Sequence, residues 1–205
     1  MPPRIDAGVR RREIARIAAR LVAARGADAV SLRSLAAEVG ASTTVITHYF
    51  ASKADVLEAA YRAAVDEARE RVDALPGDGH PDRIRLLCEA VLPLDEPRRS
   101  NWLVWLAFMG AAISDPRMAA LQRRRVTGHR ELLTAALRAA QEAGEVHVAW
   151  EPEVAARSLL AMVHGIASHA VFDLDDWPAD RQLAAVETFR RRLTAPPIEV
   201  EQGTA

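Results

Sequence analysis

Apolar residues recur every three or four positions along most of the chain, the spacing of one face of an α-helix. Ile14, Ile17, Leu21 and Val22 share such a face. Val, Ile, Thr and Tyr never cluster at the two-residue period of a strand. The pattern therefore predicts an all-α fold of about nine helices, at residues 9–25, 32–39, 43–49, 53–75, 81–92, 97–114, 116–143, 152–173 and 178–194.

Helix ends in this pattern coincide with residues that favour them. Ser31 and Ser42 are predicted N-caps, and the stretch Ser52–Asp55 has the spacing of a capping box. The stretch "PGDGHP" at 76–81 breaks the chain. Beyond it, the later helices begin at or beside prolines, as expected for a residue that needs no amide partner in the first turn: Pro81, Pro97, Pro116, Pro152 and Pro178.

The second and third helices are predicted to meet in a sharp turn at 40–42. Gly40 permits the left-handed backbone conformation that such a turn needs. Ala36 and Ala37 are small, so the two helices can approach each other closely. This is the arrangement of a helix-turn-helix, which predicts a three-helix head at the N-terminus.

The third helix has two chemically different faces. Short polar side chains share one face: Thr43, Thr44, Thr47 and His48. Apolar and aromatic side chains share the other, which we expect to pack inward: Val45, Ile46, Tyr49 and Phe50. Hydroxyls and threonine methyls can contact base edges in the major groove of DNA. The pattern favours DNA reading, while a solvated connecting helix is the alternative.

Charge is unevenly distributed along the chain. Residues 1–50 hold eight arginines and four acids, a net of +4, whereas the remainder holds 19 basic and 24 acidic residues, a net of −5. Lys53, the only lysine, begins the predicted fourth helix, where a cation is unfavourable unless an anion is near. A DNA phosphate could supply that anion. Arg4 and Arg10–Arg12 could form a basic arm along the DNA.

The segment from Ile14 to Tyr61 resembles the N-terminal DNA-binding domain of the TetR family of transcription regulators, through "ARLVAARGADAVSLRSLAAEVGASTTVITHYFASKADVLEAAY". The resemblance implies that the third helix faces the major groove, that Ser31 caps the second helix near the DNA backbone, and that Tyr49 and Lys53 touch phosphates. The predicted DNA-binding residues are Ser31, Arg33, Ser42, Thr43, Thr44, Thr47, His48, Tyr49 and Lys53. Thr44 and Thr47 stand where the family often has glycine and tyrosine.

The C-terminal part is similar to the choline-responsive BetI-like subgroup, through "WLVWLAFMGAAISDPRMAALQ" and "LLAMVHGIASHAVFD". This implies a small-molecule effector, and the subgroup would suggest a cation held over tryptophan faces. The aromatic stripe of the sixth helix could be core, pocket wall or both, and a buried histidine is more often a core residue than a ligand contact. The candidate ligand-binding residues are Trp102, Trp105, Phe108, Met109, His164 and Ser168.

The eighth helix is apolar nearly all round, so it must be buried on several sides. Small residues on it, such as Ala161 and Gly165, could admit a crossing helix. With the ninth helix and two symmetry mates it would form a four-helix homodimer interface. The predicted interface residues are Leu159, Val163, Ile166, Ala170, Val186 and Phe189.

Other features narrow the class of protein. Cys88 is the single cysteine, which fits a reducing compartment. No apolar run follows the basic N-terminus, and the longest apolar stretch, 158–172, is too short and polar to span a bilayer. We therefore expect a soluble, cytoplasmic protein without a membrane partner. No spacing typical of a metal site or catalytic motif is present, so we predict no metal and no cofactor.

The sequence thus predicts a ligand-responsive transcriptional regulator, a repressor released from a near-palindromic double-stranded DNA operator by a small molecule. A small helical enzyme, or a ligand-binding protein without an operator, is the alternative. The predicted domains are a DNA-binding helix-turn-helix at 1–52, a ligand-binding and dimerisation domain at 53–195, and a disordered tail at 196–205.

Overall fold

The computed structural model of the chain describes residues 6–197. Arg4 and most of the predicted tail lie outside the described residues. Within residues 6–197 the chain forms nine α-helices and no strand, as predicted. They are α1 (Ala7–Arg25), α2 (Leu32–Val39), α3 (Thr43–Thr47), α4 (Lys53–Asp73), α5 (Arg83–Glu89), α6 (Glu96–Ala112), α7 (Pro116–Glu142), α8 (Pro152–Ala170) and α9 (Ala179–Arg192).

The first helix starts earlier than its apolar pattern predicts. Asp6 caps it, because its Oδ1 accepts a hydrogen bond from the amide of Gly8 at 2.8 Å. Arg10–Arg12 lie within α1, as the predicted span 9–25 already implies, so they form no arm separate from that helix, and their contact with DNA stays a prediction. Six helices end two or three residues before their predicted positions: α3, α4, α5, α6, α8 and α9.

The chain folds into two compact units. Unit 1 comprises the described residues of Met1–Asp73 and Pro93–Arg125, and unit 2 those of Ala74–Leu92 and Val126–Ala205. The predicted boundary at 52/53 lies inside unit 1, and the division of functions that it describes stays a prediction.

The core of unit 1 joins the helix-turn-helix to α6. Helix α1 packs against α2, α4 and α6, and α2 packs against α3. The largest side chains of this core are almost completely buried: Ile14, Leu35, Ile46, Phe50, Phe108 and Met118. The position of α3 is therefore fixed by the same core that holds α6.

Unit 2 is built from α5, the second half of α7, α8 and α9. Its fully buried side chains include Leu87, Leu133, Leu137, Leu159, Val186 and Leu193. Cys88 is also fully buried, and burial raises the pKa of its thiol to about 12, so it is a protonated core residue. Among the residues described, none of the helices combines the length and apolar character that crossing a bilayer requires.

Candidate DNA-binding and effector sites

The turn between α2 and α3 depends on one left-handed residue. Gly40 has φ 69° and ψ 33°. Its amide donates to Ala37 O at 3.2 Å, and the amide of Ala41 donates to Ala36 O at 2.9 Å, which satisfies the last carbonyls of α2. Ser42 then caps α3, its Oγ accepting from the amide of Val45 at 3.3 Å. The helix-turn-helix predicted from the sequence is present.

Ser31 forms a capping box at the start of α2. Its Oγ accepts from the amide of Ser34 at 3.0 Å, and Ser34 Oγ accepts from the amide of Ser31 at 2.8 Å. The N-cap prediction is confirmed. Ser31 and the neighbouring Arg33 are both exposed, and their contact with DNA stays a prediction.

Helix α3 presents its polar face to the outside. The four predicted reading residues are all exposed: Thr43, Thr44, Thr47 and His48. Ile46 and Phe50 are buried beneath them, at 0% and 1% exposure. Thr47 Oγ1 donates to Thr44 O at 2.9 Å, so its hydroxyl can still accept and its methyl group is available.

Val45 was expected to pack inward, but it is 39% exposed. At 100° per residue, Val45 lies at the edge of the apolar face, next to His48, and a helix of one turn cannot bury a face that wide. The exposed surface of α3 therefore includes an apolar side chain that could contact a thymine methyl.

Two side chains fix the segment after α3. Arg11 of α1 lies over the Phe50 ring, 4.9 Å from its centroid, and its Nε donates to Tyr49 O at 3.3 Å. Asp55 of α4 accepts from the amide of Ala51 at 3.1 Å, and its own amide donates to Ser52 Oγ at 3.1 Å. Arg11 therefore holds the residues that follow α3 from within α1.

Lys53 already has an anionic neighbour within the chain. Its Nζ lies 3.5 Å from Asp28 Oδ1 and donates to Asp28 O at 3.4 Å. The sequence pattern predicts only a DNA phosphate as the anion beside Lys53. Both side chains are exposed, so the pair is weak and Lys53 can turn towards a phosphate.

The Asp28→Asn variant should bind DNA of any sequence a few-fold more tightly, because it removes a negative charge beside the predicted phosphate contact Lys53. Equilibrium titration of a specific and a random duplex at two salt concentrations measures this. Glu153→Gln, which opens a similarly exposed ion pair to Arg157 on α8, is the matched control. Unchanged or weaker binding by Asp28→Asn would place Lys53 away from the DNA.

A cluster of aromatic side chains lies in unit 1, where α4, α6 and the start of α7 meet. The rings of Tyr61 and Phe108 are stacked, with centroids 3.8 Å apart. Trp102 and Trp105 meet edge to face at 4.8 Å. The Tyr61 hydroxyl and Trp105 Nε1 both donate to Gln122 Oε1, at 2.8 and 3.1 Å.

Burial divides the predicted effector residues. Phe108 and Trp102 are core residues at 0% and 4% exposure, whereas Trp105 and Met109 are half-buried. His164 and Ser168 belong to α8 in unit 2, where Ser168 Oγ donates to His164 O at 2.7 Å. Their role in binding an effector stays a prediction.

Sequence reasoning missed the polar centre of the aromatic cluster. Gln122 lies in the charged stretch "LQRRR", where nothing in the neighbouring sequence indicates a buried or ligand-binding side chain. Tyr61 is the last residue of the segment that resembles the TetR DNA-binding domain. Burial raises the pKa of Tyr61 to about 12, and the charges of Arg125 and Arg62 oppose that rise. The Tyr61 hydroxyl is therefore protonated at neutral pH and acts as a donor.

Two families match the chain. The family described as bacterial regulatory proteins, tetR family, matches residues 14–60. The family described as BetI-type transcriptional repressor, C-terminal, matches residues 80–195. The transcriptional regulator PksA of Bacillus subtilis is 28% identical over 179 residues, 84% of each chain. The regulator BetI of Vibrio parahaemolyticus is 26% identical over 171 residues, 80% of this chain and 81% of that one.

Solved structures of regulators share the fold of this chain. A transcriptional regulator from Rhodococcus sp. Rha1 is 26% identical with a TM-score of 0.80, covering 89% of this chain and 95% of that one. A Saccharomonospora viridis regulator in complex with choline is 24% identical with a TM-score of 0.79, covering 90% and 96%. Because the BetI-type match alone spans more than half of the chain, this protein belongs to the TetR family of DNA-binding transcriptional regulators, has a BetI-type C-terminal domain, and is not an enzyme.

Proposed function

We propose that this regulator represses transcription by binding a near-palindromic operator as a homodimer, and that a small molecule releases it. The observation that carries the proposal is the exposed polar face of α3 held on a buried apolar base. Such a face can enter the major groove and read base edges. The choline complex of the similar Saccharomonospora viridis protein supports a small-molecule effector.

Contacts within unit 1 supply a route from the effector region to the reading helix. Arg117, in the first turn of α7, lies 3.2 Å from Asp55 Oδ1 and 2.9 Å from Glu58 Oε2 on α4. Asp55 also accepts from the amide of Ala51, four residues after the end of α3. A ligand that shifts α7 relative to α4 would therefore act on the segment that holds α3, by no more than its difference in affinity for the two states.

The operator contacts can be tested by comparing two variants. Thr47→Ala should reduce the preference for the operator over random DNA by about 1 kcal/mol, because it removes a methyl and a hydroxyl from the reading face. Lys53→Ala should weaken binding to all sequences about equally and reduce the salt slope by about one unit. Footprinting upstream of the protein's own coding sequence locates the operator.

The same measurement separates the proposal from its alternative. A ligand-binding protein without an operator would retard no genomic fragment at moderate salt. An unchanged preference for the operator in Thr47→Ala would contradict base reading by this face of α3.

The proposed dimer uses the exposed side of α8. Five of the six predicted interface residues, all except half-buried Phe189, are buried within the single chain, where a partner could not reach them without rearrangement. Exposed residues instead line one stripe, which we name the open α8 face: Val154, Ser158, Ala161, Gly165, His169 and Phe172. Nothing lies within 4 Å of a Cβ built on Gly165, and Phe172 is 76% exposed, so this face has room for a crossing helix.

Gly165→Arg is expected to convert the dimer to a monomer, because a long charged side chain would stand between the two closely crossing helices. Light scattering at micromolar concentration measures the mass, and circular dichroism checks that helix content is kept. Val148→Arg, at a 79% exposed position outside α8, is the control and should remain dimeric. A wild-type monomer under these conditions would contradict the dimer.

A further inference from the structure

Arg125 is a half-buried cation for which the described residues supply no partner. It lies one turn after Gln122 on α7, and no carboxylate or other acceptor among the described residues bonds to it. Two other arginines near α4, Arg62 and Arg117, are paired with its carboxylate Glu58. A half-buried guanidinium with no bonded acceptor is unfavourable, and burial lowers the pKa of Arg125. The site therefore favours an anion.

Gln122 adds a second donor on the same side of α7. Its Oε1 already accepts from Tyr61 and Trp105, which fixes the amide and leaves its NH₂ group as the free end. No acceptor for this group occurs among the described residues. Residues three apart on a helix are neighbours, so the amide and the guanidinium offer donors to one ligand.

The carboxylates of α4 near this cluster are occupied. Glu58 is paired with Arg62 and Arg117. Glu67 Oε2 accepts from Asn101 at 3.1 Å in the amide orientation that satisfies both groups of that side chain. A cationic ligand beside Trp105 would face the Arg125 guanidinium without a carboxylate of its own, so the charge here opposes the cationic effector suggested by the resemblance to choline-responsive regulators.

We propose that Arg125 and Gln122 form an anion-binding subsite, and that the effector is a small organic monocarboxylate whose apolar body lies against Trp105. One guanidinium balances one negative charge, and its fork of N–H donors matches a carboxylate. The inference rests on the proposed function, because it names the chemistry of the effector that would release the operator.

The test uses three probes that share a phenethyl body and differ in charge: 3-phenylpropionate, its primary amide, and phenethyltrimethylammonium. Binding to the full chain is followed by tryptophan fluorescence and by the thermal unfolding midpoint. We expect 3-phenylpropionate to bind at least about tenfold more tightly than either other probe, as expected for a charge-assisted bidentate pair. The inference would be overturned if the ammonium probe bound as tightly as 3-phenylpropionate or more tightly. It would also be overturned if the dissociation constant of 3-phenylpropionate exceeded about 10 mM.

Variants at Arg125 assign the effect to that side chain. Arg125→Met should bind 3-phenylpropionate about tenfold or more weakly than wild type, with an unchanged affinity for the amide probe. Arg125→Lys should keep part of the 3-phenylpropionate affinity. Arg124→Met, at the exposed neighbouring position, is the control and should behave as wild type. Unchanged carboxylate affinity in Arg125→Met would overturn the subsite.

A second readout does not depend on the probes. Without ligand, Arg125→Met should raise the unfolding midpoint, because it removes an unpaired half-buried charge. A lower midpoint would show that Arg125 has a structural partner and would count against the subsite.

Operator binding, measured on the same samples, separates the two proposals. Charge-selective, Arg125-dependent binding without retardation of any fragment would support the subsite and contradict the repressor function. Operator binding by a protein that does not distinguish the three probes by charge would support the repressor function and contradict the subsite.

Discussion

Replacing Phe108 with alanine is expected to lower the free energy of unfolding by about 3–5 kcal/mol. The ring is fully buried and stacks on Tyr61 at 3.8 Å, so its removal leaves a cavity between α4 and α6 and ends the aromatic contact. Denaturant titration followed by circular dichroism measures the loss. Because α1 packs against both α4 and α6, operator affinity should fall as well.

Trp105→Ala is the matched comparison on the same helix. Trp105 is half-buried, and its removal ends one hydrogen bond to Gln122, which contributes about 1 kcal/mol. We expect this variant to keep operator binding and most of its stability while responding less to the effector. If Trp105→Ala proved as destabilising as Phe108→Ala, Trp105 would be a core residue and not part of the ligand site.

Substitutions at Gly40 should disable the helix-turn-helix in an order set by the backbone. Gly40 has φ 69°, which costs a residue with a Cβ about 1–2 kcal/mol. Asparagine adopts this conformation more readily than alanine, and a β-branched residue least readily. The expected order of stability and of operator affinity is therefore wild type, Gly40→Asn, Gly40→Ala, Gly40→Val.

The space around Gly40 makes this order diagnostic. Nothing lies within 4 Å of a Cβ built at this position, so side-chain size alone should have no effect. Gly110→Ala, within α6 and also in open space, is the control and should stabilise the protein by up to about 1 kcal/mol. If Gly40→Ala were also stabilising, the left-handed turn would not be required.

The helices could be predicted because their signals are local. Periodicity located all nine, and caps such as Ser31 and Ser42 fixed the starts of α2 and α3. The end of α3 was predicted two residues late, since the apolar pattern continues through Tyr49 and Phe50. Phe50 is instead buried just beyond the helix, and the Asp55 carboxylate accepts a hydrogen bond from the amide of the next residue, Ala51.

The contacts that complete the candidate sites could not be predicted, because they join residues distant along the chain. Asp28 reaches Lys53, Arg11 reaches Phe50, and Gln122 reaches Tyr61. Periodicity assigns each of these residues to a helix face or a loop, but it does not pair one element with another. Gln122 has charged neighbours and therefore resembles a solvated position in the sequence.

The dimer prediction illustrates a related limit. An apolar helix face must be buried, but the sequence pattern does not indicate whether it packs against the same chain or against a partner subunit. Leu159 and Val163 are covered within the single chain. Small residues such as Ala161 and Gly165 lie on the part of α8 that the same chain leaves exposed.

The composition of unit 1 bears on how hybrid regulators could be made. A chimaera that joins this head to a foreign sensing domain at residue 52 would separate α1 from α4 and α6, against which it packs. Ile14 and Ala18, now fully buried, would then be exposed to water unless the new domain supplied a matching surface. Exchange is better made at the three borders of unit 1, after Asp73, before Pro93 and after Arg125, so that the replaceable module is unit 2 and the head stays together with α4 and α6.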